Sequence, residues 1–272
     1  MNRSCDRRFG LESALEFIEL EETLREFSGS NQFIYIANPG NWGDGLIRYA
    51  TESFFRRKGF SFKPLRFSRA IDIGRNELEE MVGSSAPRAV YGGGGAFFPK
   101  YRMHKVMPSL LSKFESMLVL PNSFSVPASK LGFREHDIIF RRDRENSTAF
   151  APQSQFCHDM ALSLPMIIAP DPTQGPGYFF REDKEKKHSG RLPSSNRDIS
   201  SEGNEFTEVH GFLKAIAQFS EVHTDRLHVS IAASLMGRQV KMYPNSYFKN
   251  LSIYESSMRV AFPNVSFQES HP

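Results

Sequence analysis

"EVHTDRLHVSIAASLMG", residues 221–237, decides how this chain is read. Its first residues continue an apolar strand that begins at Phe219. Residues 226–236 form an almost wholly apolar helix bounded by Asp225 as a cap and Gly237 as a stop. A strand running straight into a buried helix is the unit of a parallel α/β sheet. Arg226 and His228 fall in the first turn of that helix, the end where the helix dipole disfavours a cation by roughly 0.3–1 kcal/mol. Free backbone N–H groups at the same place attract anions. A bound carboxylate or phosphate, clamped by Arg226, accounts for both features, and the dipole would hold the His228 pKa down, in a range useful for proton transfer. An ion pair from Arg226 to Asp225 or a neighbouring acid, with His228 as a hydrogen-bonded core residue, fits the same spacing.

Outward from this stretch, strands and helices alternate. "FIYIA" (33–37) is a buried strand, followed by the glycine-rich turn "NPGNWGDG" (38–45) and a helix over 46–58 that stops at Gly59. "FKPLRF" (62–67) is a strand weakened by Pro64. "RAVYGGGG" (88–95), "SMLVLPNSF" (116–124) and "HDIIFRR" (136–142) are further strands. After a break come the strand "GYFFRED" (177–183), a helix over 207–218, "QVKMY" (239–243) as a strand and a last helix over 251–259. An amphipathic helix over 11–27 precedes them all. The pattern implies an α/β protein of two Rossmann-like lobes with parallel sheets: residues 1–165, and a smaller lobe over 166–272. They are divided where Pro165, Pro170, Pro172 and Pro176 cluster. Residues 184–204 are polar and rich in Ser and Gly, and read as a loop without regular structure.

The bulk composition narrows the function. With 272 residues the chain can bury a substantial core, and its 25 Phe imply aromatic packing. A net charge of +3 carries no global field for nucleic acid. Cys5 and Cys157 make neither a disulfide framework nor a ligand pattern. No run of about 18 apolar residues is present for a membrane span, and residues 1–17 lack the apolar core of a signal peptide. A cytoplasmic protein is expected. His223 and His228 lack the Cys/His partners or HExxH spacing of a metal site, so no metal is expected.

Three other stretches could carry chemistry. The glycines at 40, 43 and 45 match neither GxGxxG nor the Walker pattern. Asp44 could cap the following helix or face a cleft and accept a proton or a sugar hydroxyl. The run Gly92–Gly95 follows a strand directly, a place where a ligand or another backbone against it explains the glycines better than a flexible loop does. "FRRDRENS" (140–147) and "YPNSYFKN" (243–250) each follow a strand, offering an arginine and Lys249 as further cations beside the anion.

In this order, "NPGNWGDG", "YGGGGAFF", "LPNSF", "FCHDMALSL", "FFREDKE", "VHTDRLHVSIAASLMG" and "YPNSYFKN" resemble the polysaccharide pyruvyl transferase family over residues 33–258. The resemblance implies a two-lobed fold similar to the GT-B glycosyltransferases. It implies phosphoenolpyruvate as donor substrate, no cofactor, and a hexose-containing glycan or lipid-linked precursor as acceptor, which receives a pyruvate ketal across two hydroxyls. It places Arg226 and His228 in the donor site, with Asp44 from the glycine motif and an arginine from an R-D/E-x-x-S-like segment. That arginine is Arg142, although Ser147 falls one residue late, and Arg141 and Arg144 are its alternatives. Asn41, Gly93, Gly94 and Lys249 complete the donor-binding set. His228 would act as acid, with Asp44 or His223 as base, and contact with the inner membrane face is compatible. A sugar-nucleotide glycosyltransferase and a non-catalytic glycan- or anion-binding protein are the competing readings.

Overall fold

The computed structural model describes residues 10–183, 185–187 and 190–271. Cys5 therefore lies outside the described residues. Helix α1 (Leu15–Ser28) leads into β1 (Phe33–Ile36), α2 (Trp42–Arg57), β2 (Phe62–Leu65), α3 (Phe67–Asp72) and α4 (Arg75–Val82). Then follow β3 (Arg88–Tyr91), β4 (Gly94–Phe97), α5 (Met107–Leu111), β5 (Ser116–Phe124), β6 (Ile138–Arg141) and β7 (Gln155–Phe156). The remaining chain forms β8 (Gln174–Phe179), α6 (Val209–Ala217), β9 (Phe219–Thr224), α7 (Leu227–Leu235), β10 (Gln239–Met242), α8 (Lys249–Ile253) and β11 (Val265–Phe267).

Seven strands form one parallel sheet in the order β2-β1-β3-β5-β6-β7, with β4 pairing β5 beyond β3. Four form a second parallel sheet, β11-β10-β9-β8. The fold is thus α/β with two Rossmann-like sheets. In the first, alternate residues of β1 feed opposite faces: Phe33 and Tyr35 join one core, Ile34 and Ile36 the other. A sheet buried on both faces accounts for its unbroken apolar strands. Pro64 is tolerated because β2 is an edge strand.

The core containing Phe33 and Tyr35 runs on into the second sheet through α2, α6 and α7. Trp42 is the peg. Its ring packs on Phe212 at 5.6 Å, and its Nε1 donates to the Glu208 carbonyl at 3.0 Å. Any Cβ on Gly203 or Gly211 would strike that ring, at 2.7 and 3.1 Å.

Several boundaries differ from the sequence reading. Helix α2 starts four residues early, at Trp42, because Asn41 and Asp44 form a capping box: the Asn41 side chain accepts from Gly43 N at 2.8 Å, and Asp44 Oδ2 from Asn41 N at 2.9 Å. Helix α7 starts at Leu227 with Arg226 at the cap position, not Asp225. The Asp225 carboxylate is turned away to accept from Arg181 N at 2.8 Å, tying the end of β8 to the end of β9. The segment 184–204 is not a featureless loop in its described part. It carries a 3-10 turn, Ile199–Glu202, a buried Glu185 and an Asn204 that bridges Asn41. The last helix begins at Lys249 and passes through a π-helical turn at Tyr254–Met258. Among the described residues no helix is long and apolar enough to cross a membrane.

Candidate functional site at the facing strand ends

In the first sheet the chain leaves β1 toward β2 on one side, while β3 lies on the other. This is a switch point, where ligands of open α/β sheets bind outside the carboxyl ends of the strands. The loop after β1 (38–41) and the start of β4 (Gly95, Ala96) form the crevice. The carboxyl ends of β8, β9 and β10 meet it from the second sheet. Between them lies a cavity of about 440 Å³.

The cavity brings together Asn41, Asp44, Arg142, His228 and Lys249, five residues from four separate stretches of sequence. Gly95 forms part of the wall, whereas Gly93 and Gly94 do not. The run of glycines is demanded by neighbouring backbone and side chains. A Cβ on Gly92 would lie 2.7 Å from Asn38 N, and one on Gly93 would lie 2.8 Å from the Pro121 carbonyl. Gly94 has φ 139°, a conformation closed to other residues. Of the three arginines at and after the end of β6, Arg142 lines the cavity. Arg141 donates to the Ser154 carbonyl, and Arg144 reaches the α1 residue Glu16 at 2.6 Å.

Beneath the cavity floor is a buried relay. Arg142 Nε donates to Ser123 Oγ at 2.9 Å and Nη1 to Asp159 Oδ2 at 2.6 Å. Its Nη2 points toward Gly95. The same Asp159 Oδ2 lies 3.6 Å from His228 Nε2, and Asp159 Oδ1 accepts from Ala161 N at 2.9 Å. Burial alone would raise the Asp159 pKa. The nearness of the His228 ring, the Arg142 charge and the Ala161 amide outweigh it and hold the carboxyl well below the usual range. Asp159 is thus held as an anion beside the His228 ring. The other ring nitrogen, Nδ1, sits over Gly43, 2.8 Å from where a Cβ would stand.

Asp44 has the opposite electrostatics. Burial in the cavity wall raises its pKa, and the charges of His228, Lys249 and Arg142 together with the Asn41 amide offset only part of that. The pKa values of two carboxyl groups near one imidazole are thus pushed in opposite directions, Asp159 down and Asp44 up.

Two assignments from the sequence are corrected. Arg226 does not reach the cavity. Its Nε and Nη2 fork onto Asp198 at 2.8 and 2.5 Å, and Nη1 pairs with Asp183 at 2.8 Å. The cation at the helix N-terminus is paired with the internal acids Asp198 and Asp183. His223 also lies elsewhere. It is on β9 opposite Tyr178, its Nε2 2.5 Å from Glu221 and its Nδ1 3.1 Å from the Tyr243 hydroxyl. With Val222 turned into the core, the neighbouring position must face the other side of the sheet.

The cavity also holds residues that sequence reasoning missed. Arg181 and Asp183 follow β8, and Glu185 comes two residues later. Glu185 accepts from Lys100, Arg181 and, at 2.5 Å, Tyr101, with Lys249 Nζ 3.5 Å away. Burial would raise its pKa, but Lys249 and Arg181 hold it down. Their signal was position: like Arg142, they lie just beyond the carboxyl end of a strand. Among the described residues no group of three or more His, Cys, Asp or Glu is arranged around a metal position.

No family model and no curated protein matches the chain. Its fold is similar to that of a functionally uncharacterized protein from Klebsiella pneumoniae, with a TM-score of 0.77 and 24% identity, over 94% of this chain and 100% of that one. At that identity the likeness is one of fold.

Proposed function

We propose that the chain is a phosphoenolpyruvate-dependent pyruvyl transferase that forms a pyruvate ketal on a hexose of an exopolysaccharide, a cell-surface glycan or its lipid-linked precursor. The corresponding compartment is the cytoplasm, with contact at the inner membrane face where the acceptor is lipid-linked. The observation that carries the reading is the convergence of Asp44, Arg142, His228 and Lys249 on one cavity at the facing strand ends.

Phosphoenolpyruvate carries a phosphate ester and a carboxylate on one carbon, C2, and a site for it needs cations in a confined, poorly solvated space. Arg142 and Lys249 supply them, with Arg181 replacing Arg226 as the third. The chemistry needs a proton delivered to C3, which turns the methylene into a methyl group and leaves C2 electrophilic. His228, beside the Asp159 anion, is the donor of that proton. Asp44 accepts the proton of the first attacking hydroxyl. The C2–O bond to phosphate then breaks and the second hydroxyl closes the ketal. Two hydroxyl protons leave the acceptor. One balances the proton gained at C3, and the other leaves with phosphate.

The test is phosphate release from phosphoenolpyruvate across a panel of glycosides, with thermal protection by phosphoenolpyruvate measured beside protection by sugar nucleotides. Glycoside-dependent phosphate release supports the reading. Protection by a sugar nucleotide alone transfers the site to glycosyl transfer. Phosphoenolpyruvate binding without turnover on any glycoside leaves an anion-binding protein.

A further inference from the structure

Tyr101 combines exposure with immobility. It is 49% exposed at the cavity, yet its hydroxyl is fixed on Glu185 Oε1 at 2.5 Å. Glu185 is itself only 4% exposed. The next residue, Arg102, has φ 54°, a left-handed conformation that residues other than glycine rarely adopt. Such strain persists where the surroundings over-determine the backbone, and it clusters at ligand sites. Tyr247 reaches the same cavity from the second sheet. Its ring rests on Phe98, centroids 4.0 Å apart. Lys100 Nζ sits 4.9 Å from the Tyr101 ring and 5.9 Å from the Tyr247 ring. Two held rings thus share one ammonium group beside the reacting residues.

An exposed ring with an anchored polar tip loses little freedom when a flat apolar surface is laid on it. A pyranose offers such a surface: one face of C–H bonds, and an edge of hydroxyls. We propose that Tyr101 and Tyr247 form the acceptor platform, binding a hexopyranose by its C–H face with the hydroxyl edge directed toward Asp44 and His228. The pyranose identity rests on the pyruvyl-transfer reading; the platform rests on the two rings and Glu185. Glu185 is a positioning residue, which holds Tyr101 through its hydroxyl and draws Lys100 and Lys249 to the same place.

Saturation-transfer NMR with methyl β-D-galactopyranoside and methyl β-D-glucopyranoside, with uridine diphosphate as counter-probe, tests the platform. Wild type should transfer saturation to the C–H face of at least one glycoside. Tyr101→Ala should lose the signal, with a rise of about tenfold in acceptor KM and an unchanged phosphoenolpyruvate KM. Tyr101→Phe, which keeps the ring but loses its anchor on Glu185, should retain a reduced signal, between wild type and Tyr101→Ala, and Tyr247→Ala should weaken it. Absence of transfer to either glycoside in wild type, an undiminished signal in Tyr101→Ala, or transfer to uridine diphosphate in place of the sugars would overturn the proposal. Thermal protection by phosphoenolpyruvate is read separately on each variant. Its absence in wild type removes the pyruvyl-transfer reading without altering the glycoside result.

Discussion

Arg142 and Asp159 close an ion pair of 2.6 Å in which each side chain is 1% exposed. The pair links two loops that follow neighbouring strands of one sheet, β6 and β7, and His228 of the second sheet leans on its carboxylate. Removing one partner of such a pair strands the other, at a cost of about 3–5 kcal/mol. Asp159→Asn should be destabilised by about that much and should lose turnover with it. The pH dependence carries a sign. The folded Asp159 pKa is depressed, so its contribution is complete above the unfolded value near 4 and is lost as pH falls below it. Urea unfolding from about pH 7 down to about pH 3 should show the wild type losing stability more steeply than Asp159→Asn. Parallel profiles would refute the depressed carboxyl.

Asp44 should behave in the reverse sense. Its folded pKa is raised, so the folded state binds more protons than the unfolded one between the two values, and stability declines as pH rises through the folded pKa. Asn at this position can still accept from the Asn41 amide and keep the cap. Asp44→Asn should therefore melt no lower than wild type near neutral pH, while kcat falls by about 10²–10⁴. A variant that unfolds earlier, or that turns over at the wild-type rate, would contradict the assigned role.

Two glycines of the β1–α2 turn are set by what lies against them. A Cβ on Gly40 would stand 1.9 Å from Asp44 Oδ2, and one on Gly43 would stand 2.8 Å from His228 Nδ1. Overpacking costs about 1–3 kcal/mol, which a protein of this size survives. Gly43→Ala should fold and displace His228, so kcat drops more than the melting temperature suggests. Gly175→Ala, with nothing within 4 Å of its new Cβ, is the matched control. Equal activity in the two variants would show that His228 is not held against Gly43.

The alternation of apolar strands with helices made the α/β class legible, because both sheets are parallel and each strand is a short apolar run. Asp44, Arg142, His228 and Lys249 were also legible, since each lies shortly past a strand end, where the fold points side chains into the crevice. Residues whose partners are distant in sequence were not. Asp159 reads locally as the cap of a short turn, Met160–Ser163, and its Arg142 and His228 contacts exist only after two sheets face each other. Glu185 lies in a polar stretch whose composition suggests solvent, yet four side chains of two lobes surround it. Arg226 misled for the same reason: Asp198, 28 positions away, supplies the anion that its helix position called for.

That last contact yields a prediction that separates structure from ligand binding. The Arg226 and Asp198 side chains are 5% and 8% exposed, so Arg226→Leu leaves a nearly buried carboxylate uncompensated and should cost about 3–5 kcal/mol. Replacing both charges with apolar groups removes the stranded anion, and buried pairs exchanged in this way are often close to neutral. Arg226→Leu/Asp198→Leu should therefore recover most of the stability lost in the single variant, with a coupling of about 0.5–3 kcal/mol in a double-mutant cycle. Phosphoenolpyruvate protection should recover along with it, because the guanidinium serves to hold Asp198 and Asp183 rather than the donor. If Arg226 instead clamped the donor phosphate, the double variant would regain its melting temperature and stay blind to phosphoenolpyruvate.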